Sequence, residues 1–352
     1  VLEEDAELEN SSEDDAGVVA QRILDAISGP IAVHGKDVVL TGSVGIALSE
    51  PGHNAEALMR NADVAMYSAK SVGKGRFQIF RSEMQEAVAR RLDLEADLRR
   101  AIDQEELVLH YQPIVDLSTG QVVGLEVLVR WLRPQRGLVY PGDFISVAEK
   151  SGLITPMGRW ILNEACRQRQ RWRKQLRAGP PFAMSVNVSP VQMEDPCFVD
   201  DLVGCLEASG TEAHALTLEI TESLFMRNFP SAVEKLQQVR ELGVKVAIDD
   251  FGTGWSSFSR LRSMPIDILK IDKAFVDGVT RGPEDSAVAQ AIVRMASSFG
   301  LQTVAEGIEY PGQVDVLAAM KCDMGQGYFF SPPLAADALE ASTRRRWLLA
   351  PT

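Results

Sequence analysis

Residues 216–252, "LTLEITESLFMRNFPSAVEKLQQVRELGVKVAIDDFG", contain two short apolar runs separated by an amphipathic segment. The runs "LTLEITES" (216–223) and "VAIDDFG" (246–252) have the length of buried strands, and "SAVEKLQQVREL" (231–242) has the apolar spacing of a helix. A helix between two strands is the kind of connection that parallel pairing requires. The stretch therefore predicts one unit of a parallel sheet covered by helices.

The same alternation runs through the chain from residue 107 onward. The six further apolar runs are "LVLHYQPIVDL", "VVGLEVLVRW", "FAMSVNVS", "ILKID", "TVAEGIE" and "MGQGYFF". Eight strands in about 240 residues match the size of a (β/α)8 barrel. The first two runs are joined only by "STG", which is too short for a parallel crossover, so they should form an antiparallel hairpin. The predicted fold class is α/β, a (β/α)8 TIM-like barrel with an antiparallel first strand.

The N-terminal part of the chain predicts a separate, partial α/β domain. "GVVAQRILDAI" (17–27) and "AEALMRNADVAMYSAKSVG" (55–73) have helical periodicity, and "IAVHGKDVVLTGSVGIALS" (31–49) predicts two strands around a polar turn. We interpret the opening "VLEED" as a strand-like stub.

A connecting helix is predicted next. "SEMQEAVARRLDLEADLRRAI" (82–102) combines a capping box with Glu–Arg pairs four residues apart, which is typical of a solvated helix. We therefore expect a partial domain at residues 1–82, a linking helix at 83–104 and a barrel domain at 105–352.

The charge balance limits the partners of the chain. It has 36 Lys and Arg against 49 Asp and Glu, and its formal net charge of -13 repels duplex DNA and anionic lipid. No run of about 18 apolar residues predicts a membrane span. The four cysteines show no C-x-x-C spacing, which favours buried reduced thiols. We expect a soluble, cytoplasmic fragment, whose full-length protein could be membrane-anchored upstream.

Polar residues recur where the predicted strands end. They are Glu126, Asn187, Glu219, Asp249, Asp250, Lys270, Glu306 and Gln326. The carboxyl ends of parallel barrel strands meet at one mouth, where reactive groups lie. Each residue alone has an ordinary structural explanation, such as a partnered core carboxylate or a turn-forming asparagine. Five carboxylates at one mouth instead require a neutralising cation, because buried like charges cost several kcal/mol.

The ligand types in this set favour a hard divalent cation. Carboxylate and amide oxygens suit Mg²⁺ or Mn²⁺, and no Cys or His joins them. The adjacent Asp249 and Asp250 suit two ions, with one carboxylate bridging both, as in two-metal phosphodiester hydrolysis. Lys270 would hold and orient the attacking water or, alternatively, act as a structural counter-ion for the acids.

At these residues the chain resembles the EAL-domain family, phosphodiesterases that linearise the bacterial second messenger cyclic di-GMP. The resemblance lies between residues 90 and 345, in "YQPIVDL", "GLEVLVRW", "SVNVS", "LEITES", "IDDFGTGWSS", "LKIDKAFV", "VAEGIE" and "CDMGQGYFFSPPL". The metal ligands that it implies are Glu126, Asn187, Glu219, Asp249, Asp250 and Glu306. It also implies that Lys270 positions the nucleophilic water, so that Lys270, Glu126 and Glu306 are the catalytic residues.

The resemblance extends to substrate contacts. It implies that Arg130 contacts a substrate phosphate and that Gln112 lies near a guanine. Gln326 is the third implied substrate-binding residue. Glu222 is implied to anchor the glycine-rich loop that follows Asp250.

Two positions depart from the family pattern. Val127 replaces the alanine of the E-A-L signature, and on a strand its side chain points away from that of Glu126. Trp255 stands in the glycine-rich loop where tyrosine is commoner, which could alter loop packing or a subunit contact. Neither change removes an implied ligand, and the complete ligand set argues for an active enzyme.

The first 80 residues resemble the C-terminal half of a GGDEF domain, the cyclase fold that makes cyclic di-GMP. "VLEED", "LTGSVGIALS" and "RNADVAMYSAKSVGKGRFQIF" carry this resemblance, whereas the GGDEF signature itself is absent. We therefore expect the C-terminal part of a GGDEF domain, with the upstream sensor and the other GGDEF half outside this chain, and no cyclase activity from the chain as given.

These expectations combine into one leading function. It is metal-dependent hydrolysis of cyclic di-GMP to linear 5'-pGpG. The alternative is a catalytically quiet cyclic di-GMP receptor or regulatory module of a tandem cyclase-phosphodiesterase. The resemblance also implies a homodimer through the barrel, at the loop after Asp250.

Overall fold

A computed structural model describes residues 2–33, 36–49, 54–73, 75–175, 182–227, 229–251 and 261–346. The chain divides into two compact units, Val1–Ala96 and Asp97–Thr352. The division falls inside a helix that spans Ser82–Asp103. No described helix combines the length and the apolar character that a bilayer crossing requires.

The first unit contains two small sheets and two helices ahead of that shared helix. Its elements are α1 (Leu2–Ile27), β1 (Ile31–Val33), β2 (Lys36–Val38), β3 (Ser43–Ile46), α2 (Ala55–Val72) and β4 (Arg76–Ile79), followed by α3 (Ser82–Asp103). Strands β1 and β2 form an antiparallel hairpin, and β3 pairs with β4 in parallel. On the inner side of α1, Ala20 and Leu24 are buried.

Two expectations for this unit are wrong. The opening residues are helical from Leu2 and do not form a strand-like stub, because the Ala, Glu and Leu residues that follow favour a helix. Residues 31–49 contain three strands rather than two, since the chain leaves the sheet between Val38 and Ser43.

The second unit contains the longer strands and most of the helices. Its strands are β5 (Leu107–Asp116), β6 (Val122–Arg133), β7 (Gly137–Val139), β8 (Ala183–Val188), β9 (Leu216–Thr221), β10 (Lys245–Phe251), β11 (Ile268–Ile271), β12 (Gln302–Ala305), β13 (Met324–Gly325) and β14 (Leu334–Ala335). The described helices are α4 (Pro141–Ser151), α5 (Ile154–Gln175), α6 (Pro190–Glu194), α7 (Phe198–Ser209), α8 (Leu224–Arg227), α9 (Phe229–Glu241), α10 (Lys273–Val276), α11 (Pro283–Ser298), α12 (Pro311–Ala319) and α13 (Ala336–Arg346).

Eight of these strands close into a barrel. Around the ring the parallel strands follow in the order β6, β8, β9, β10, β11, β12 and β13, and each pairs with the next. Strand β5 pairs antiparallel with both β6 and β13, which completes the ring. All eight apolar runs of the sequence form these strands, and the antiparallel hairpin of the first two is confirmed. The short β7 and β14 extend the sheet outside the ring.

The helices bury apolar faces against the outside of this barrel. In α5, for example, Met157, Ile161, Ala165 and Trp172 are buried at helical spacing. The ring of Trp172 packs edge-on against Tyr111 of β5, with their centroids 4.7 Å apart. Such contacts fix the strands that carry the polar residues of the barrel mouth.

The four cysteines are free thiols, in line with the absence of C-x-x-C spacing. Cys166, Cys205 and Cys322 are buried as expected, but Cys197 is exposed. The difference arises because Cys197 immediately precedes α7 instead of lying on its inner face.

Candidate active site

An apolar layer inside the barrel lies directly below a polar one. Ile114, Ala247, Ile268 and Val304 form a buried cluster that joins four strands. Because side chains on a strand alternate between its two faces, the next residue on the same face lies two positions along the chain. Toward the mouth those residues are Gln112, Asp249, Lys270 and Glu306. The strand period therefore brings four of the predicted site residues to one level.

Lys270 is the centre of this polar layer. Its side chain is 1% exposed, and its Nζ lies 2.6 Å from Oε2 of Glu219 and 2.6 Å from Oε1 of Glu306. The same ammonium is 3.3 Å from Asp249 Oδ1 and 3.8 Å from Glu126 Oε1. One buried positive charge thus faces four carboxylates supplied by four other strands or strand ends.

Amide side chains complete the network around Glu126. Asn187 Nδ2 donates to Glu126 Oε1 at 2.8 Å, and Gln326 Nε2 donates to Glu126 Oε2 at 2.5 Å. Gln326 Nε2 also lies 2.8 Å from Gln112 Oε1, and Gln112 Nε2 donates to the carbonyl of Ser331. Donors on both oxygens favour the ionised form of Glu126 and fix its orientation.

The two adjacent aspartates reach the same mouth because the strand is irregular between them. In a regular strand neighbouring side chains point to opposite faces. The pairing of β10 with β11 shifts register between Ile248 and Phe251, and Asp250 adopts a left-handed backbone with φ of 54°. Asp is among the few residues that tolerate this conformation. The amide of Asp250 donates to Asp249 Oδ1 at 3.0 Å, which stabilises the turn.

Three carboxylates at this mouth are close enough to share a cation. Asp249, Asp250 and Glu306 each offer an oxygen, and these atoms all lie within 4.8 Å of one another. The group contains oxygen donors alone, with no Cys or His, and oxygen donors suit a hard divalent cation. The donor set therefore fits a metal ion of the kind that the sequence implies.

Burial and charge act in opposite directions on the ionisable groups of the cluster. Burial works to lower the pKa of Lys270, but Glu126, Glu219 and the other carboxylates outweigh it and raise the pKa well above its usual value. Burial raises the pKa of Glu306 to about 7, in spite of the opposing charge of Lys270. Lys270 is therefore a permanent cation, whereas part of the acidic cluster retains protons near neutral pH when no metal ion is bound.

Glu219 and Glu126 respond differently to this environment. Burial raises the pKa of Glu219 well above its usual value, and Lys270 compensates only in part. Burial acts in the same direction on Glu126, but Lys270 and the hydrogen bonds from Gln326 and Asn187 outweigh it, so its pKa lies below the usual value. Hydrogen-bond donors thus distinguish two carboxylates that are about equally buried.

A cavity of about 400 Å³ opens beside the cluster. Its lining includes Gln112, Glu126, Asp249, Glu306, Gln326 and Tyr328. Cavities of this volume accommodate small organic ligands.

Glycines shape the two turns that carry Glu306 and Gln326. Gly307 has φ of 69°, and a Cβ at this position would lie 2.4 Å from Lys273 Cγ. A Cβ on Gly327 would lie 2.1 Å from the backbone oxygen of Ile308. Each turn therefore packs too closely for any side chain beyond hydrogen.

Arg130 lies on the cavity-facing side of β6 but beyond the cluster. Glu126 and Leu128 line the cavity, and Arg130 is the next residue on that strand face. It is 6% exposed and donates from Nη1 to the carbonyl of Val129 at 2.8 Å. Val127 lies on the opposite face, where it is 2% exposed in the core, so it does not intrude on Glu126.

Glu222 is buried just after β9, apart from the Lys270 network. Neither of its carboxylate oxygens accepts a hydrogen bond within the described part of the chain. The glycine-rich loop that it is expected to anchor, including Trp255, lies outside the described residues. Its role as an anchor stays a prediction.

Asp272 is a site residue that the sequence reasoning missed. Burial raises the pKa of Asp250, and the charges of Asp249 and Asp272 raise it further, which places Asp272 beside the aspartate pair. Asp272 also accepts a hydrogen bond from the amide of Ala274 at 2.8 Å and thereby caps α10. Its position two residues after Lys270, on the same strand face, was the signal that could have identified it.

Comparison with known families agrees with this architecture. The profile described as "EAL domain" matches residues 95–333, and the profile described as "Diguanylate cyclase, GGDEF domain" matches residues 6–76. The first match covers the whole barrel ring, and the second is a partial match within the N-terminal unit.

Individual relatives extend the comparison. The chain is 38% identical over 331 residues to the cyclic di-GMP phosphodiesterase NbdA of Pseudomonas aeruginosa, covering 94% of this chain and 42% of that protein. It is 39% identical over 337 residues to the cyclic di-GMP phosphodiesterase PdeR of Escherichia coli, covering 96% of this chain and 50% of that protein. The chain therefore spans half the length of these relatives or less.

A solved structure has the same barrel. The PaMucR phosphodiesterase in complex with c-di-GMP superposes with a TM-score of 0.66 at 39% identity, covering 70% of this chain and 99% of that one. The predicted barrel fold and family are confirmed. The chain belongs to the EAL-domain family.

Proposed function

We propose that the chain is a metal-dependent phosphodiesterase that hydrolyses cyclic di-GMP to linear 5'-pGpG. The observation that carries the proposal is the buried Lys270 ammonium among four carboxylates, next to a cavity of ligand size. The names of NbdA and PdeR, both cyclic di-GMP phosphodiesterases, support this choice of substrate.

The proposed cofactor is a pair of Mg²⁺ or Mn²⁺ ions. The residues that would hold them are Glu126, Asn187, Glu219, Asp249, Asp250 and Glu306. Two such ions, when bound, would neutralise the carboxylates and polarise the scissile phosphodiester. The acidic cavity would thereby become able to attract a phosphate.

Lys270 is proposed to orient the attacking water. An ammonium has three N–H donors, and two of them have partners 2.6 Å away, in Glu219 and Glu306. The next nearest carboxylate oxygen is that of Asp249 at 3.3 Å, so the third and more weakly engaged donor is proposed to hold the oxygen of a water. Glu126 and Glu306 are the carboxylates beside that ammonium that could accept the proton of the water as its oxygen attacks phosphorus. The bond from phosphorus to the 3'-oxygen breaks, the 3'-oxygen takes up a proton, and linear 5'-pGpG forms.

Three further residues are proposed to bind the substrate. Arg130 is proposed to contact a phosphate, Gln112 to lie near a guanine, and Gln326 to contact the dinucleotide. Gln326 Oε1 is buried without a hydrogen-bond partner among the described residues, so it is an acceptor for a donor of the substrate.

Incubation with cyclic di-GMP tests the function directly. Purified chain with Mg²⁺ or Mn²⁺ should convert the substrate to pGpG, as separated by chromatography, and an excess of EDTA should stop the reaction. The Asp249→Asn variant should lose at least about 100-fold in rate, because it removes one charged oxygen from the proposed metal site. Glu241→Gln, a similar loss of charge at the exposed end of α9, should leave the rate unchanged. Tight binding without turnover would contradict the enzymatic proposal and favour a receptor.

The remaining proposals concern the whole protein. We propose domains at residues 1–82 and 105–352 joined by a linking helix at 83–104, a homodimer formed through the barrel, and a cytoplasmic location. The resemblance to the family supports the dimer, and the free thiols support a reducing compartment. Light scattering on the purified chain should give the mass of two subunits, and limited proteolysis should cut near residues 83–104.

A further inference from the structure

Tyr140 is held beside Arg130 by the backbone pairing of its neighbours. Val139 at the end of β7 pairs with Trp131 of β6, so the following residue emerges next to Arg130. The guanidinium carbon of Arg130 lies 5.1 Å from the centroid of the Tyr140 ring, which is cation–π distance. Tyr140 then leads into α4, whose first helical residue is Pro141, so its backbone is fixed on both sides.

Arg130 has few other restraints. Its single described side-chain hydrogen bond is to the carbonyl of Val129, its immediate neighbour. Nε is buried without a partner among the described residues. A buried guanidinium normally has several hydrogen bonds, because an unsatisfied charged donor is costly. The buried and unpartnered Nε therefore indicates a donor that lacks its partner until a ligand binds.

The Tyr140 ring beside the guanidinium does not occupy the N–H donors of Arg130. An aromatic ring contacts a guanidinium through its flat face, whereas the N–H groups lie in its plane and remain able to bind phosphate oxygens in a forked arrangement. Arg130 shares a strand face with Glu126 and Leu128, both of which line the cavity. Tyr140 therefore restrains the guanidinium of Arg130 without having to contact the ligand itself.

We propose that Tyr140 is a positioning residue that holds Arg130 so that its Nε edge binds a phosphate of the cyclic dinucleotide. The inference rests on the proposed function, in which Arg130 contacts substrate. It assigns to Tyr140 an effect on substrate binding and none on the chemical step, because Lys270 and its two nearest carboxylates, Glu219 and Glu306, lie on or just after other strands.

Steady-state kinetics with cyclic di-GMP test this role. Tyr140→Ala should raise KM about fivefold, the upper end for a cation–π contact whose ring residue is 57% exposed, and leave kcat within about twofold. Tyr140→Phe keeps the ring and should restore KM to within about twofold of the wild-type value. Tyr140→Leu keeps apolar volume without a ring and should behave like the alanine variant.

A double mutant separates action through Arg130 from a local structural effect. In an Arg130→Ala background, Tyr140→Ala should cause no further rise in KM, because coupled residues are non-additive. Tyr67 provides a matched control, since its ring lies 5.5 Å from the guanidinium of Arg91 in the N-terminal unit. Tyr67→Ala should leave KM unchanged.

Each outcome separates this inference from the function on which it rests. If the wild-type chain binds cyclic di-GMP without hydrolysing it, the enzymatic proposal fails and the same comparison is made on Kd. If the wild type is active but Tyr140→Ala has the wild-type KM, or raises KM equally with and without Arg130, only the role of Tyr140 is overturned. A wild-type chain that neither hydrolyses nor binds the dinucleotide overturns both.

Discussion

Charged residues pair in both units of the chain, but in opposite surroundings. On the helices of the N-terminal unit, Arg60 pairs with Glu56 and Arg90 with Glu86 at side-chain exposures of 65–79%. In the barrel, Lys270 is 1% exposed among carboxylates that are 1–20% exposed. The first kind of pair remains in water and is screened, whereas the second has lost its hydration.

The exposed pairs of the N-terminal unit have the surroundings of charges that keep a protein soluble, whereas the buried Lys270 cluster has the surroundings of a catalytic site. A solvated pair four residues apart contributes a few tenths of a kcal/mol to a helix. A buried cluster with more acids than bases is a net cost to folding unless a cation neutralises it. The barrel keeps such a cluster at its mouth, which is where a catalytic metal site explains the cost. Three substitutions at decreasing burial test this reading.

Removal of the buried cation should have the largest effect. Lys270→Met leaves four carboxylates without their ammonium, and in EDTA it should lower the free energy of unfolding by about 3–5 kcal/mol. All five tryptophans of the sequence follow residue 97, so tryptophan fluorescence in urea reports on the barrel. Lys245→Met, at the start of β10 with a 3.3 Å hydrogen bond to Gln302, is the control and should change the free energy by less than about 1 kcal/mol. If Lys270→Met lowered the free energy of unfolding by less than about 1 kcal/mol, buried and exposed ion pairs would no longer differ in their contribution to stability.

A half-buried pair should give an intermediate effect. Asp97 accepts from Arg133 Nε at 3.0 Å, and their side chains are 27% and 13% exposed. Asp97→Ala should lower the free energy of unfolding by about 1 kcal/mol, at the upper end of the range for surface pairs. Asp93→Ala, one turn earlier on the same helix at an exposed position, should have no measurable effect. Equal urea midpoints for both variants would show that burial does not determine how much an ion pair contributes to the free energy of unfolding.

The solvated pair of the N-terminal unit should give the smallest effect. Glu86→Ala removes the partner of Arg90, 3.0 Å away, and should change local stability by less than about 0.5 kcal/mol. Hydrogen exchange at the amides of residues 82–96 measures the change, which should shrink further at 1 M salt because exposed charges are screened. A change as large as that of Asp97→Ala, or one insensitive to salt, would argue against the comparison.

Local sequence patterns predicted most of the barrel. The eight apolar runs gave eight strands, and the three-residue link "STG" correctly predicted the antiparallel hairpin of β5 and β6. These features depend on periodicity and chain length, which are readable without tertiary contacts. The prediction of a strand-like stub at the N-terminus was wrong because five residues are too few to show a hydrophobic period. The helix there continues from the residues that follow.

The sequence by itself determined the strands, the family and the set of polar residues near the strand ends. Tertiary structure alone decided how those residues meet. The sequence placed Asp249 and Asp250 together at the mouth, although a regular strand with a period of two would point them to opposite faces. The shifted pairing of β10 with β11 and the left-handed φ of Asp250 are what bring both carboxylates there. Likewise, the pairing of β7 with β6 puts Tyr140 over Arg130. Such contacts depend on which strands pair and in what register, and local sequence does not encode distances between strands far apart in the chain.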